Sequence, residues 1–241
     1  MKNDYRGRWA LLLCIGLVGC GSRPPDLAFD KVGNSWIKSI DLLQVPETDF
    51  IVSNVGSAYG AFGLIGAALG ESAEQAKSNQ LDSAIRGQAH VGEALTAALE
   101  AELKQRGFEV EVTSQRPPSN AGPNTAPVNE QFDYRAIKTR ADAILHVSYV
   151  GAGYVSAARL PDYEPWLYVR VRLLSGGGKA PLFSQFDEYG AKLAGTKPHV
   201  AAQPQYSYPN FDALMANHVA ATTGLQEGAR LIATAIAEQL R

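Results

Sequence analysis

Cysteine is nearly absent: this 241-residue chain has two, Cys14 and Cys20. With so few thiols, a disulfide framework and a cysteine-based metal site are both excluded, and the fold must rest on an apolar core. No strong charge of one sign is present either, since 22 Lys and Arg face 24 Asp and Glu. A basic footprint for nucleic acid is therefore missing, as is the excess that adheres to anionic headgroups. Histidine is scarce and scattered: His90, His146, His199 and His218 include no pair at the i, i+4 spacing of a zinc helix. His146 reads as a cross-strand or core-edge residue. No cofactor and no metal are expected.

Two familiar glycine motifs fail on inspection. A phosphate loop ending at Lys179 would need glycine where Leu173 stands, and Ser or Thr where Ala180 stands. Ser175 to Lys179 reads instead as a hairpin turn. Gly56-Ser57-Ala58-Tyr59-Gly60 is no nucleophile elbow, because its serine directly follows the glycine. No catalytic residue is expected, and the chain reads as a non-enzyme.

What is present begins at the amino terminus. Lys2, Arg6 and Arg8 precede an apolar run from Trp9 to Val18, followed by small residues, as in a secretory signal. That run is about half the length needed to span a bilayer as a helix, so residues 1–19 are expected to be cleaved. Leu17-Val18-Gly19-Cys20 resembles the lipobox of bacterial lipoproteins, with Val18 where Ala or Ser is usual. The resemblance implies a diacylglycerol on the Cys20 thiol and cleavage before it, with the lipid bilayer as first partner. Each buried methylene contributes roughly 0.8 kcal/mol, so two or three acyl chains hold a protein durably. Losing Lys2, Arg6, Arg8 and Asp4 leaves 19 basic against 23 acidic residues, a net charge of −4. By resemblance to the sorting rule of enteric bacteria, Gly21 in place of Asp implies the outer membrane, facing the periplasm.

The expected organisation is a signal over 1–19, a lipidated start and short tether over 20–39, and one α+β domain over 40–241. Ile40 to Val45 and Phe50 to Val55 read as strands, and Glu71 to Arg86 as helix-permissive. From His90 to Arg106 the chain is a clear helix, with Val91, Leu95, Leu99 and Leu103 on one stripe. Gly107 suits its end. Phe108 to Thr113 alternates as a half-buried strand, and Ser114 to Asn129 reads as a mobile loop. Ala143 to Val150, Trp166 to Leu174 and Pro181 to Tyr189 are strands, the last two a hairpin. A final helix carries Phe211, Leu214, Met215, Leu225, Ile232, Ile236 and Leu240, with Thr222, Thr223 and Gly224 weakening its middle. The expected architecture is a mostly antiparallel sheet with helices packed on one face.

Two further features bear on partners. Gly56, Gly60, Gly66 and Gly70 form small-xxx-small pairs around Tyr59, Phe62, Leu64, Ile65 and Leu69. Either this uncharged stretch is a turn and small-residue helix pressed on the sheet, or it touches lipid or a second protomer through Gly56, Gly60, Phe62, Gly66 and Gly70. The second reading would make the chain an oligomeric part of an envelope transport or secretion assembly. Aromatic residues gather at Tyr163 and Trp166 and at Tyr206 and Tyr208, either to bind a partner or to pin a loop to its own domain.

The stretch Ala141-Asp142-Ala143-Ile144-Leu145-His146-Val147, the hairpin and Gly228-Ala229-Arg230-Leu231-Ile232-Ala233 together resemble a broad set of uncharacterised bacterial envelope lipoproteins. The element order is also similar to the small α/β domains of the curli secretion lipoprotein and of the amino-terminal part of the Tol-Pal translocation protein. The resemblance covers two thirds of the mature chain and carries no functional residues across. It implies a docking or scaffolding domain that associates with itself or with an envelope protein.

Overall fold

A computed structural model describes residues 24–55, 72–122, 127–157, 162–177, 180–193 and 199–241. The strands are β1 (Ser39–Leu43), β2 (Ile51–Val55), β3 (Glu109–Thr113), β4 (Ala143–Ala157), β5 (Tyr163–Ser175), β6 (Pro181–Gly190) and β7 (His199–Val200). The helices are α1 (Ser72–Ala89), α2 (Val91–Gln105), α3 (Phe211–Ala216) and α4 (His218–Gln239). The fold class is α+β, with strand order β3-β1-β4-β5-β6-β7 and β2 also paired to β4.

The sheet is mixed, so the mostly antiparallel expectation holds in part. Its longest pairings, β4 with β5 and β5 with β6, are antiparallel. The pairings of β1 with β3, β1 with β4, β2 with β4 and β6 with β7 are parallel. The cause lies in the connections: β3 follows α1 and α2, and a helical crossover returns a strand parallel to the one it left.

Helices cover one face. The α2 stripe Val91, Leu95, Leu99 and Leu103 is fully buried, as are Leu81 and Ile85 of α1 and Leu225, Ala229, Ile232 and Ile236 of α4. They pack on Leu145, Val147, Leu167, Val169, Val171 and Leu173 of the sheet. Period 2 in the strands and period 3.6 in the helices thus converge on one core. Gly107, at φ 92, ends α2 as expected. The terminal helix breaks at Asn217 into α3 and α4, and α4 runs unbroken through Thr222 to Gly224. Small residues bring α4 close to the sheet: a Cβ on Gly228 would lie 2.3 Å from the ring of Tyr189.

β1 and β2 lie end to end along one edge of β4. β1 pairs with residues 143–145 and β2 with 153–157. Pro46 interrupts them, because it has no N–H to give to a ladder. The turn between them is clamped by helices. Glu47 accepts hydrogen bonds from Gly92 N and Glu93 N at the start of α2, at 3.2 and 3.0 Å, where a carboxylate suits the positive end of the helix dipole. Thr96 Oγ1 accepts from Val45 N.

The outer edge of β2 is closed by a helix. Phe50 N, Val52 N and Asn54 N donate to Asp82, Ser78 and Glu74 respectively, at 2.9 to 3.0 Å. Two strand residues rise about 6.7 Å and four helix residues about 6.0 Å, so acceptors four apart on α1 match donors two apart on β2.

Candidate functional site

Cys20, Gly56, Gly60, Phe62, Gly66 and Gly70 all lie outside the described residues, so the structure neither joins nor separates them. The stretch expected to be a tether is described from Pro24 onward, and it is pinned to the body. Leu27 exchanges two backbone hydrogen bonds with Ser184 of β6, at 2.6 and 2.9 Å, and Phe29 packs on the core.

Between β1 and β2, residues 146–152 of β4 have no strand partner on that edge among the described residues. A cavity of about 220 Å³ opens there, lined by Glu47, Thr48, Arg116, Glu130, Phe132, His146, Ser148 and Tyr149. The Tyr149 hydroxyl is buried with no hydrogen-bond partner among the described residues, and burial pushes its pKa up.

His146 sits opposite Arg172 across the β4–β5 ladder, only 5% exposed. Its Nδ1 lies 2.7 Å from the Tyr134 hydroxyl, and that hydroxyl accepts from Arg172 Nη1 at 3.3 Å. An arginine can only donate, so the tyrosine proton is left for Nδ1 and the imidazole carries its own proton on Nε2. Burial, then the charges of Arg172 and Arg170, lower the His146 pKa to about 3. The ring is therefore neutral at physiological pH, and its pKa lies well below the near-neutral value that suits a general acid or base.

The two arginines hold a loop. Arg172 Nη2 donates to the Glu130 carbonyl at 2.9 Å, and Arg170 Nη1 donates to the carbonyls of Val128 and Glu130 at 3.3 Å. Their guanidinium groups stack on Phe132 and Phe186. Burial lowers the pKa of both, that of Arg170 to about 10. The segment from Val128 to Tyr134 is thereby drawn over the sheet face that the helices leave bare. Tyr134, buried at 7%, and Val128, at 2%, fill that side. This modifies the expectation of a mobile loop over 114–129: its carboxyl-terminal part enters a short 3-10 helix at Pro127–Asn129.

The aromatic loops pin themselves to their own domain. Tyr163 and Tyr208 exchange backbone hydrogen bonds, and Trp166, 1% exposed, donates to Glu188 Oε1 at 3.0 Å.

The other candidate surface is the far edge of the sheet. β3 pairs only with β1 among the described strands. A groove of about 730 Å³ runs beside it, lined by Asp41, Glu109 and Glu111 and by Lys138 and Arg140. Asp41 stands in register with Glu111 and Ser39 with Glu109. Gln115 fixes the far wall, donating to the Lys138 carbonyl and accepting from its N–H at 2.8 and 2.9 Å. The sequence showed β3 as a strand but not as an edge, because alternation reports which face is buried and not which neighbour pairs.

No group of three or more metal-ligating side chains is found among the described residues. No described helix is long and apolar enough to cross a membrane. No protein-family model matches the chain, and no curated protein matches it. Among solved structures it is similar to the PelC dodecamer protein from Paraburkholderia phytofirmans, at 10% identity over 90% of this chain and 96% of that one, TM-score 0.37. It is similar to lipoprotein GNA1162 from Neisseria meningitidis, at 13% identity over 63% and 81%, TM-score 0.30. It is also similar to the protein CT253 from Chlamydia trachomatis, at 10% identity over 85% and 98%, TM-score 0.34. At such TM-scores these likenesses assign neither a function nor an assembly to this chain.

Proposed function

We propose that this chain is a lipid-anchored module of the bacterial cell envelope. Acylated Cys20 holds it on the outer membrane facing the periplasm, and it docks another envelope protein without catalysing a reaction. The lipobox resemblance of residues 17–20 supports the anchor. One structural observation supports the docking mode: among the described residues the outer side of β3 has no strand partner, while the outer sides of β2 and β6 are covered. Asp82, Ser78 and Glu74 of α1 take the donors of β2. Leu27 and β7 lie along the outer side of β6. An open edge presents unpaired N–H and C=O groups, on which an extended segment adds as a further strand. Glu109 and Glu111, both exposed on β3, select a segment carrying Lys or Arg and disfavour pairing with a second β3.

The test is photo-crosslinking in intact cells at native abundance. A photo-reactive amino acid at Val112, on β3 and 37% exposed, is compared with one at Val219, 60% exposed on α4. The expected result is one discrete adduct from position 112, none from 219, and loss of that adduct when Glu109 and Glu111 are both changed to Lys. Monomer alone from position 112 overturns the docking mode, and an adduct of twice the chain's mass replaces the foreign partner with a second copy.

A further inference from the structure

Three of the five large apolar side chains exposed among the described residues, Leu27, Val32 and Trp36, fall within ten consecutive positions. Val32 is 85% exposed and Trp36 49%. Their setting is rigid. Asp30 Oδ1 accepts from Val32 N and Gly33 N at 3.1 and 2.9 Å. The Asp30 carbonyl accepts from Asn34 N, and that of Asn34 from Ile37 N. Phe29 on one side and Ile37, 3% exposed, on the other are both packed into the core. A turn nailed down at both ends that still exposes a valine and a tryptophan leaves unused a burial worth about 1.5–3 kcal/mol for each fully buried apolar side chain, which a bilayer can supply.

We infer that the turn from Asp30 to Trp36 is a second membrane contact, in which Val32 and Trp36 enter the headgroup layer beside the lipidated amino terminus and fix the domain's orientation. This rests on the acylation of Cys20 proposed above. Tryptophan suits that layer, with an apolar body and an N–H that stays hydrated. Lys31 and Lys38 are exposed beside the apolar pair, and the Asp30 carboxylate is occupied by backbone N–H groups of its own turn. The turn is electrically balanced by Asp30 and Lys31, so its contact rests on the apolar side chains.

Chain reach also agrees. The turn lies at the end of the sheet where β1 and β4 begin, since Asp142 Oδ2 accepts from Lys38 N and Ser39 N at 2.8 and 3.0 Å. β6 begins at that end too, and Ser184, the residue pinning Leu27, is three steps along it, about 10 Å. Leu27 lies seven residue steps from Cys20, a reach of up to about 25 Å. The acyl chains can therefore lie in the same bilayer plane that the turn touches.

The experiment uses the mature lipidated protein in vesicles of phosphatidylethanolamine and phosphatidylglycerol. With residues 1–19 removed, Trp36 and Trp166 are its tryptophans, and Trp166 is buried within the protein. Lipids brominated in the upper acyl chain should quench the Trp36 emission. Quenching by acrylamide should fall about threefold relative to the Cys20→Ser chain free in buffer, as for a residue buried at the interface. Trp36→Phe should abolish both changes. Free acrylamide access with palmitate present on Cys20 overturns the contact while leaving the anchor standing. Protection from acrylamide without bromine quenching also overturns it, by putting a protein surface over Trp36. Failure of Cys20 to take up palmitate removes the anchor and this contact together.

Discussion

Acidification should destabilise this domain by an amount traceable to one imidazole. The His146 pKa is lowered to about 3 in the folded chain, against an ordinary value near 6.5. Its neutral form is therefore the one the fold holds. The stabilisation from this group is complete above pH 6.5 and is lost as pH falls from there toward 3, because the unfolded chain takes up a proton that the folded chain refuses. At pH 5, one and a half units below the ordinary value, the loss is about 2 kcal/mol, at about 1.36 kcal/mol per unit. Any folded value below about 4 gives nearly the same figure there, so the prediction depends on burial and not on the exact pKa. His146→Asn keeps an acceptor near the Tyr134 hydroxyl and removes the titration. Urea denaturation of both proteins at pH 7.5 and pH 5 measures the difference. At pH 7.5 the variant should be the weaker, from the space left by the missing ring atoms. At pH 5 that gap should narrow by about 2 kcal/mol. A gap independent of pH would refute the buried neutral histidine and the hydrogen-bond order from Arg172 through Tyr134 to His146.

Two packing predictions use paired controls. Ser78→Ala strips the acceptor from the buried Val52 N–H and should cost about 1–3 kcal/mol, whereas exposed Ser83→Ala, whose hydroxyl only bonds back to Asn79, should change stability by less than about 0.5 kcal/mol; equal effects in chemical denaturation would dismiss the capping of β2 by α1. Gly228→Ala should lower Tm, since the fully buried Tyr189 ring blocks the new Cβ, while Gly87→Ala, which meets nothing within 4 Å, should gain about 0.5–1 kcal/mol from helix propensity; a rise in Tm for both would mean that α4 does not sit on Tyr189.

The elements and the core were largely legible because periodicity reports them directly. Val91, Leu95, Leu99 and Leu103 announced both a helix and its buried face, and the β5–β6 hairpin followed from alternating runs around Gly176 and Gly177. Strand partners were less legible. The parallel pairing of β1 with β3 is implicit in the strand, helices, strand order, yet local pattern carries no register for strands some seventy residues apart. The polar stripe Glu74, Ser78 and Asp82 reads in isolation as a solvated helix face, and only the match of helix pitch to strand pitch turns it into an edge cap. His146 looked ordinary for a related reason, since its neutrality depends first on burial and then on the charges of Arg172, 26 positions beyond it, and Arg170. Val32 and Trp36 lay within the expected tether, where an apolar residue carries no signal until its neighbours are seen to be fixed.

Membrane attachment of this chain turns on the chemistry of position 20. Cells expressing the chain should be labelled with tritiated palmitate and the membrane-bound protein recovered. Label should enter the wild-type chain and not the Cys20→Ser chain, and the Cys20→Ser chain should leave the membrane fraction. Equal labelling of the two, or an unlabelled wild-type chain, would contradict the anchor.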